Sequence, residues 1–113
     1  MRRDDARLLD ILLAARAVVD YVRGATAERF EAESQLHDAV IRQLEIVGEA
    51  AGRLSDETRA LHPGLPWRKM AGLRNILAHE YFQVNLQRIW QIAQADIPDL
   101  IRQLEPLVPP EIP

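Results

Sequence analysis

The amino-acid sequence predicts an all-α fold, an antiparallel bundle of three to four main helices with short helices between them. Three observations carry that reading. Apolar residues recur at three- and four-residue steps through several long stretches. Helix-starting and helix-stopping residues stand between those stretches, and no segment alternates with period two for long enough to make a strand. The 113 residues suit a single domain over residues 1–105, with a proline-rich tail, 106–113, expected to fray.

The first helix starts near Asp4 or Asp5, either of which can cap it, and carries Leu8, Ile11, Leu12, Ala15, Val19 and Val22 as one apolar stripe. Gly24 stops it. Thr26, with Glu28 behind it, starts a short helical turn that holds Phe30 against the bundle. The second long helix runs from Ser34, read as its cap, to Leu54. Along it Val40, Leu44, Val47, Ala51 and Leu54 keep a four-three-four-three rhythm, the seam of a helix packed lengthwise on another. Gly48 and Gly52 lie one turn apart on this helix. Each costs about 1 kcal/mol relative to alanine there, and close approach of a second helix is the motive.

Ser55 or Asp56 caps a short helix through Leu61, and His62-Pro63-Gly64-Leu65-Pro66 then breaks the chain. Pro66 fits the first turn of a third long helix, which carries Trp67 through His79 or Tyr81. Asn85 caps the last helix, with Leu86, Ile89, Trp90, Ala93, Ile97, Leu100, Ile101 and Leu104 inward. Pro98 should kink that helix or restart it, with Asp96 as the new cap.

Composition excludes several classes of function. A formal net charge of −3 excludes a polybasic nucleic-acid binder that works through a large positive field, though not a small basic site. There is no cysteine, so disulfides, thiolate nucleophiles and cysteine-based zinc or iron–sulfur sites are ruled out. His37, His62 and His79 share no metal-ligand spacing, so no metal site and no cofactor is expected. Met1-Arg2-Arg3-Asp4-Asp5 leads into a charged amphipathic stretch, without the apolar core of a signal peptide. No run approaches the roughly 18 apolar residues of a membrane span, and the expected compartment is the cytoplasm.

One constellation stands above this background. Trp67, Met70, Arg74, Leu77 and Tyr81 form a stripe on the third long helix, apolar or aromatic except for the arginine. An arginine in an apolar seam is costly unless a carboxylate, a phosphate or a subunit boundary receives it. Asn75, His79 and Phe82 form the neighbouring line. Arg74 and His79 are about 140° apart around a helix, so they flank a groove rather than stack, unless the helix ends between them. Residue types alone allow bland explanations. Arg74 could pair with Glu49 or Glu45 of the second long helix, and His79 could serve the negative end of the helix dipole. Tyr81 could be a core residue with its hydroxyl at the surface, and Arg68 and Lys69 could be simply solvated.

The string Arg74-Asn75-Ile76-Leu77-Ala78-His79-Glu80-Tyr81 matches a motif of arginine, four residues, histidine, any residue and tyrosine. It resembles the HEPN ribonucleases, and more narrowly the HepT-type toxins of bacterial and archaeal toxin–antitoxin pairs. Val40-Ile41-Arg42-Gln43-Leu44-Glu45-Ile46-Val47-Gly48-Glu49-Ala50-Ala51 is similar to that family's second long helix. Pro66-Trp67, then Gly72-Leu73-Arg74-Asn75, resembles its approach to the motif. The likeness runs over roughly residues 4–105, and every motif position is intact.

The resemblance implies a homodimeric, metal-independent endoribonuclease, acting on RNA rather than DNA, in which a ribose 2′-hydroxyl attacks the adjacent phosphate and leaves a cyclic phosphate end. It gives His79 the acid–base role, which suits an imidazole with a pKa near about 6.5. It gives Arg74 the role of phosphate clamp, its planar fork matching two phosphate oxygens. Asn75 would orient the imidazole or bond the substrate. Two motifs would meet across the dimer, so that one His79 serves as base and the other as acid. Arg68 and Lys69 would add local positive charge for RNA.

The resemblance also implies a partner, the minimal nucleotidyltransferase antitoxin of a type VII-like system, which transfers AMP onto Tyr81. A phosphate placed beside Arg74 would fill the cleft and repel RNA. The chain has no nucleotidyltransferase pattern of its own, so that activity belongs to another chain. Two readings compete with the enzyme. One is a non-catalytic helical interaction module that binds the nucleotidyltransferase; the other is a purely structural bundle, in which Arg74 would be paired to an internal carboxylate.

Overall fold

The computed structural model of the chain describes residues 2–79 and 85–108, without the side chains of residues 2, 78 and 79. Among the described residues there are six helices and no strand. They are α1 (Arg2–Val22), α2 (Ala27–Ala32), α3 (Ser34–Arg53), α4 (Asp56–Leu61), α5 (Trp67–His79) and α6, which is continuous through Leu86–Gln91, Ile92–Asp96 and Ile97–Leu104. No helix among the described residues is long and apolar enough to cross a membrane.

α3 is the element the others share, with α1 packed along it on one side and α5 on another. α1 and α3 are antiparallel. Arg7, near the start of α1, donates to the carbonyl of Arg53 at the end of α3, while Gln43 in the first half of α3 donates to Tyr21 at the end of α1. α6 covers the other side of α1, and α2 reaches α6 through Phe30, whose ring lies 5.3 Å from that of Trp90.

The seam expected on α3 is the seam observed. Val40, Leu44, Val47, Ala51 and Leu54 are all buried. Full burial of each larger side chain contributes roughly 1.5–3 kcal/mol. On α1, Leu8, Ile11, Leu12, Ala15 and Val22 are buried as expected and Val19 is half-buried. Ala14 and Val18, outside the expected stripe, are buried as well, because α1 packs on both α3 and α6 and needs a wider apolar face. On α6, Ile89, Ala93, Ile97, Leu100 and Leu104 are buried, while Leu86, Trp90 and Ile101 are half-buried.

Several helix ends follow the sequence. Gly24 ends α1 with φ +74°, the left-handed backbone that glycine adopts without penalty. The side chains of Thr26, Ser55 and Asn85 accept from the backbone N–H groups of Arg29, Thr58 and Arg88. Three ends differ. Ser34 is already helical: Glu33 is both the last cap of α2 and the first cap of α3, because a single residue joins the two helices. Asp96 stands at the N-cap of the restarted segment Ile97–Leu104, with Pro98 in its first turn, but its side chain makes no capping bond and the chain stays helical across the junction. The backbone instead widens to a π-helical turn over Ile92–Asp96, with the Ile97 N–H on the Ile92 carbonyl, which accommodates the missing donor of Pro98. In the tail, a 3₁₀ turn over Glu105–Leu107 continues the chain, and Leu107 and Val108 pack against the core rather than fray. Residues 109–113 lie outside the described residues.

The third difference concerns Asp4. It sits inside the first turn of α1 rather than ahead of it, only 3% exposed. Its carboxylate Oδ2 accepts from the Ser55 hydroxyl at 2.6 Å and from the Thr58 hydroxyl. The start of α1 is thereby tied to the start of α4, across more than fifty residues of chain. The Ser55 hydrogen bond, then that of Thr58, holds the carboxyl below its ordinary range; burial opposes the shift, and the Arg7 guanidinium adds to it.

A depressed folded-state pKa stabilises the fold fully above the unfolded value and is lost as pH falls through the folded value. The difference in thermal midpoint between wild type and Asp4→Asn should therefore stay constant above about pH 5 and shrink below about pH 4. Melting curves of both proteins over that range check this; a difference that grows on acidification would contradict it.

Candidate functional site

Two contacts fix the entry of the chain into α5. Leu65 is buried, and the Trp67 indole N–H donates to the His62 carbonyl at 2.8 Å, pinning the turn that follows α4. The Pro66 carbonyl accepts the first helical bond, from the N–H of Met70 at 3.0 Å. Pro66 therefore stands just before the first helical residue, where a missing N–H costs nothing.

α5 buries Met70 and Leu73, with Trp67, Ile76 and Leu77 half-buried beside them. The inward line thus runs through Leu73, and Arg74 falls at the edge of the contact with α3 rather than in an apolar seam. Its side chain is exposed. The aliphatic stem crosses α3 at Gly48, where an added Cβ would stand 2.9 Å from Arg74 Cγ. The guanidinium reaches Gly52 one turn on, where an added Cβ would stand 3.7 Å from Nη1.

The alternative pairing of Arg74 with Glu49 or Glu45 is not formed. No carboxylate of a described residue lies within 4.0 Å of the Arg74 guanidinium. Glu45 faces Arg42 on its own helix at 4.0 Å, and Glu49 is exposed. The carbonyls at that end of α3 are satisfied by another residue: Arg59 Nη2 donates to Ala51, Gly52 and Leu54 at 3.3, 3.3 and 2.8 Å. Arg74 is held in place while its N–H fork, among the described residues, remains unspent.

Arg68, Lys69 and Asn75 are exposed on the same helix. α5 contains no acidic residue, and Arg68 and Lys69 stand in its first turn. There the helix dipole disfavours cations by about 0.3–1 kcal/mol each, so neither serves the helix that carries it. In α2 and α4, by contrast, the first turn carries acidic residues. A chain of net charge −3 thus presents one helix whose formal charges are all positive.

His79 is the last residue of α5, so the helix does not end between it and Arg74. On this continuous helix their Cα atoms are about 140° apart around the axis and about 7.5 Å apart along it. The side chain of His79, together with Tyr81 and Phe82, lies outside the described residues. His37 is engaged structurally, with Nδ1 at 2.9 Å from the Phe30 carbonyl and its ring edge-on to Phe30. Among the described residues no group of three or more His, Asp or Glu side chains is placed to hold a metal ion.

The spacing of Gly48 and Gly52 points to a close approach at this turn, and the structure fills it with the stem of Arg74. What the sequence leaves open is which side chain occupies the space.

The family pattern described as Ribonuclease HepT-like matches residues 11–107. The protein named "Probable ribonuclease HepT" of Thermococcus cleftensis is 38% identical over 100 residues, covering 88% of this chain and 91% of its own. Two proteins named as "Putative RNase" are similarly close. That of Methanocaldococcus jannaschii is 37% identical over 88% of this chain and 92% of its own, and that of Caldanaerobacter subterraneus is 38% identical over 89% and 90%. No solved structure matches the chain at comparable significance.

Proposed function

The chain belongs to the HepT-like ribonuclease family, and from that premise we propose that it is a metal-independent endoribonuclease. In this reading it is the toxin of a type VII-like toxin–antitoxin pair, acting in the cytoplasm as a homodimer. The observation that carries the reading is the state of Arg74, a guanidinium held against bare helix backbone with no carboxylate partner among the described residues. A pairing to an internal carboxylate, as in a purely structural bundle, would occupy the guanidinium fork, and none is formed among the described residues. A phosphate clamp must keep its fork open, since a planar guanidinium binds two phosphate oxygens at once.

The chemistry asks three things of the chain. A base takes the proton of the ribose 2′-hydroxyl, an acid gives a proton to the departing 5′-oxygen, and a cation stabilises the charge on the pentacoordinate phosphorus between them. His79 supplies the first from one protomer and the second from its partner, because one imidazole does not do both in a single step. Arg74 supplies the third. The P–O5′ bond breaks and a 2′,3′-cyclic phosphate remains. Asn75, one turn before His79, orients the imidazole or bonds the substrate. Arg68 and Lys69 attract the RNA backbone along α5.

Control belongs to a partner chain, a minimal nucleotidyltransferase that transfers AMP to the Tyr81 hydroxyl with release of pyrophosphate. The added phosphate would compete for Arg74 and repel the substrate.

Wild-type protein should cleave single-stranded RNA in EDTA. Arg74→Ala and His79→Ala should each slow cleavage at least about 10²-fold, with thermal midpoints close to wild type. Activity that needs a divalent metal, or that survives in both variants, contradicts the assignment. A wild type that binds the nucleotidyltransferase and cuts nothing would favour the non-catalytic module.

Co-expression with that partner should add whole AMP units to the intact mass of the protein, and Tyr81→Phe should abolish the increment. An increment that persists in Tyr81→Phe would place the modification elsewhere.

A further inference from the structure

We infer that Gly48 is a positioning residue for Arg74: the missing side chain on α3 sets the course of the arginine stem, and through it the place of the guanidinium. The inference rests on the reading of Arg74 as a phosphate clamp and adds a residue on a different helix to that site. Its basis is the space between α3 and α5. An added Cβ on Gly48 would stand 2.9 Å from Arg74 Cγ, a separation that real Cβ contacts essentially never show. The same Cβ would stand 3.4 Å from the Arg74 backbone N and 3.5 Å from the Met70 carbonyl oxygen, both ordinary contacts. The conflict is therefore with the side chain of Arg74 and not with the backbone of α5.

Cγ is the first stem atom whose position a rotamer decides. It cannot yield by a movement of the flexible end of the chain; it moves when χ1 changes or when the whole helix withdraws. Helical residues use two χ1 wells, so a forced change sends the guanidinium to a different part of the surface. A withdrawal of α5 carries His79 with it. Either response misplaces a charge that must meet a phosphate.

The neighbourhood completes the argument. From Gly48 the stem runs to Gly52, toward the C-terminal end of α3, where the helix dipole favours a cation. The carbonyls of Ala51, Gly52 and Leu54 at that end already accept from Arg59. Arg74 is thus guided by shape and by a weak field, with its hydrogen-bond donors uncommitted among the described residues. A carboxylate could also fix an arginine, but it would occupy the fork that the substrate needs. Glycine fixes it without doing so.

The test is a double-substitution cycle with Gly48→Ala, Arg74→Ala and the pair, each followed by thermal midpoint and by cleavage of a single-stranded RNA oligonucleotide in EDTA. Alanine is the better helix former, so Gly48→Ala should raise the midpoint in the Arg74→Ala background, where Cγ is gone. In the wild-type background it should fail to raise the midpoint, or lower it. Cleavage by Gly48→Ala should fall on the order of 10²-fold in kcat, with KM changed far less, while the pair cuts no more slowly than Arg74→Ala alone.

Equal midpoint changes in both backgrounds would overturn the inference, as would wild-type kcat in Gly48→Ala. If wild type cuts no RNA, the clamp reading fails by itself. The midpoints then still decide whether Gly48 sets the course of Arg74.

Discussion

The close approach of α5 to α3 at Gly48 is the constraint on which the site depends. α5 packs chiefly against α3 and buries Met70 and Leu73, and α3 is in turn held by α1 along a largely apolar seam. A side chain at position 48 would keep the two helices apart or turn Arg74 aside. Removing it costs helix propensity in α3, about 1 kcal/mol, and that is a small loss beside the burial that the surrounding seam supplies. Other contacts fix the elements around it. Arg59 closes the end of α3, the Trp67 indole and buried Leu65 anchor the entry to α5, and Asp4 fastens α1 to the start of α4.

Charge is arranged around the same helix. The protein is acidic as a whole, yet α5 carries Arg68, Lys69 and Arg74 and no acid. Two of the cations stand where the dipole disfavours them, and the third has forgone a salt bridge. Neither placement adds to the stability of the fold. A polyanion that docks along α5 gives a reason for both, because each uncommitted cation then meets a phosphate instead of water.

The sequence was most legible where structure is local and periodic. The rhythm of Val40, Leu44, Val47, Ala51 and Leu54 translated directly into burial, and the caps at Thr26, Ser55 and Asn85 are contacts within one turn. What it hid depends on partners far along the chain. Asp4 looked like a cap because its real partners, Ser55 and Thr58, come from another helix. Arg74 looked like a seam residue because Leu73, one position earlier, takes the inward place only once α5 has settled on α3. Pro98 marks a kink or a restart in the sequence, but the form it takes, a widened turn over Ile92–Asp96 ahead of Ile97, is not visible in residue types. Of the candidate site, the string from Arg74 to Tyr81 was legible as a motif, and its likeness to the HepT-like family agrees with the match over residues 11–107.

The claim that most of this account rests on is that the free guanidinium of Arg74 meets an RNA phosphate. Binding of a single-stranded RNA oligonucleotide, with its 2′-hydroxyls methylated to prevent cleavage, can be measured as a function of salt for wild type and Arg74→Ala. Each phosphate contact contributes about 0.7 to the slope of log affinity against log salt for a single strand. Arg74→Ala should bind more weakly, with a slope shallower by about that amount for each Arg74 engaged. An unchanged affinity and an unchanged slope would contradict that claim.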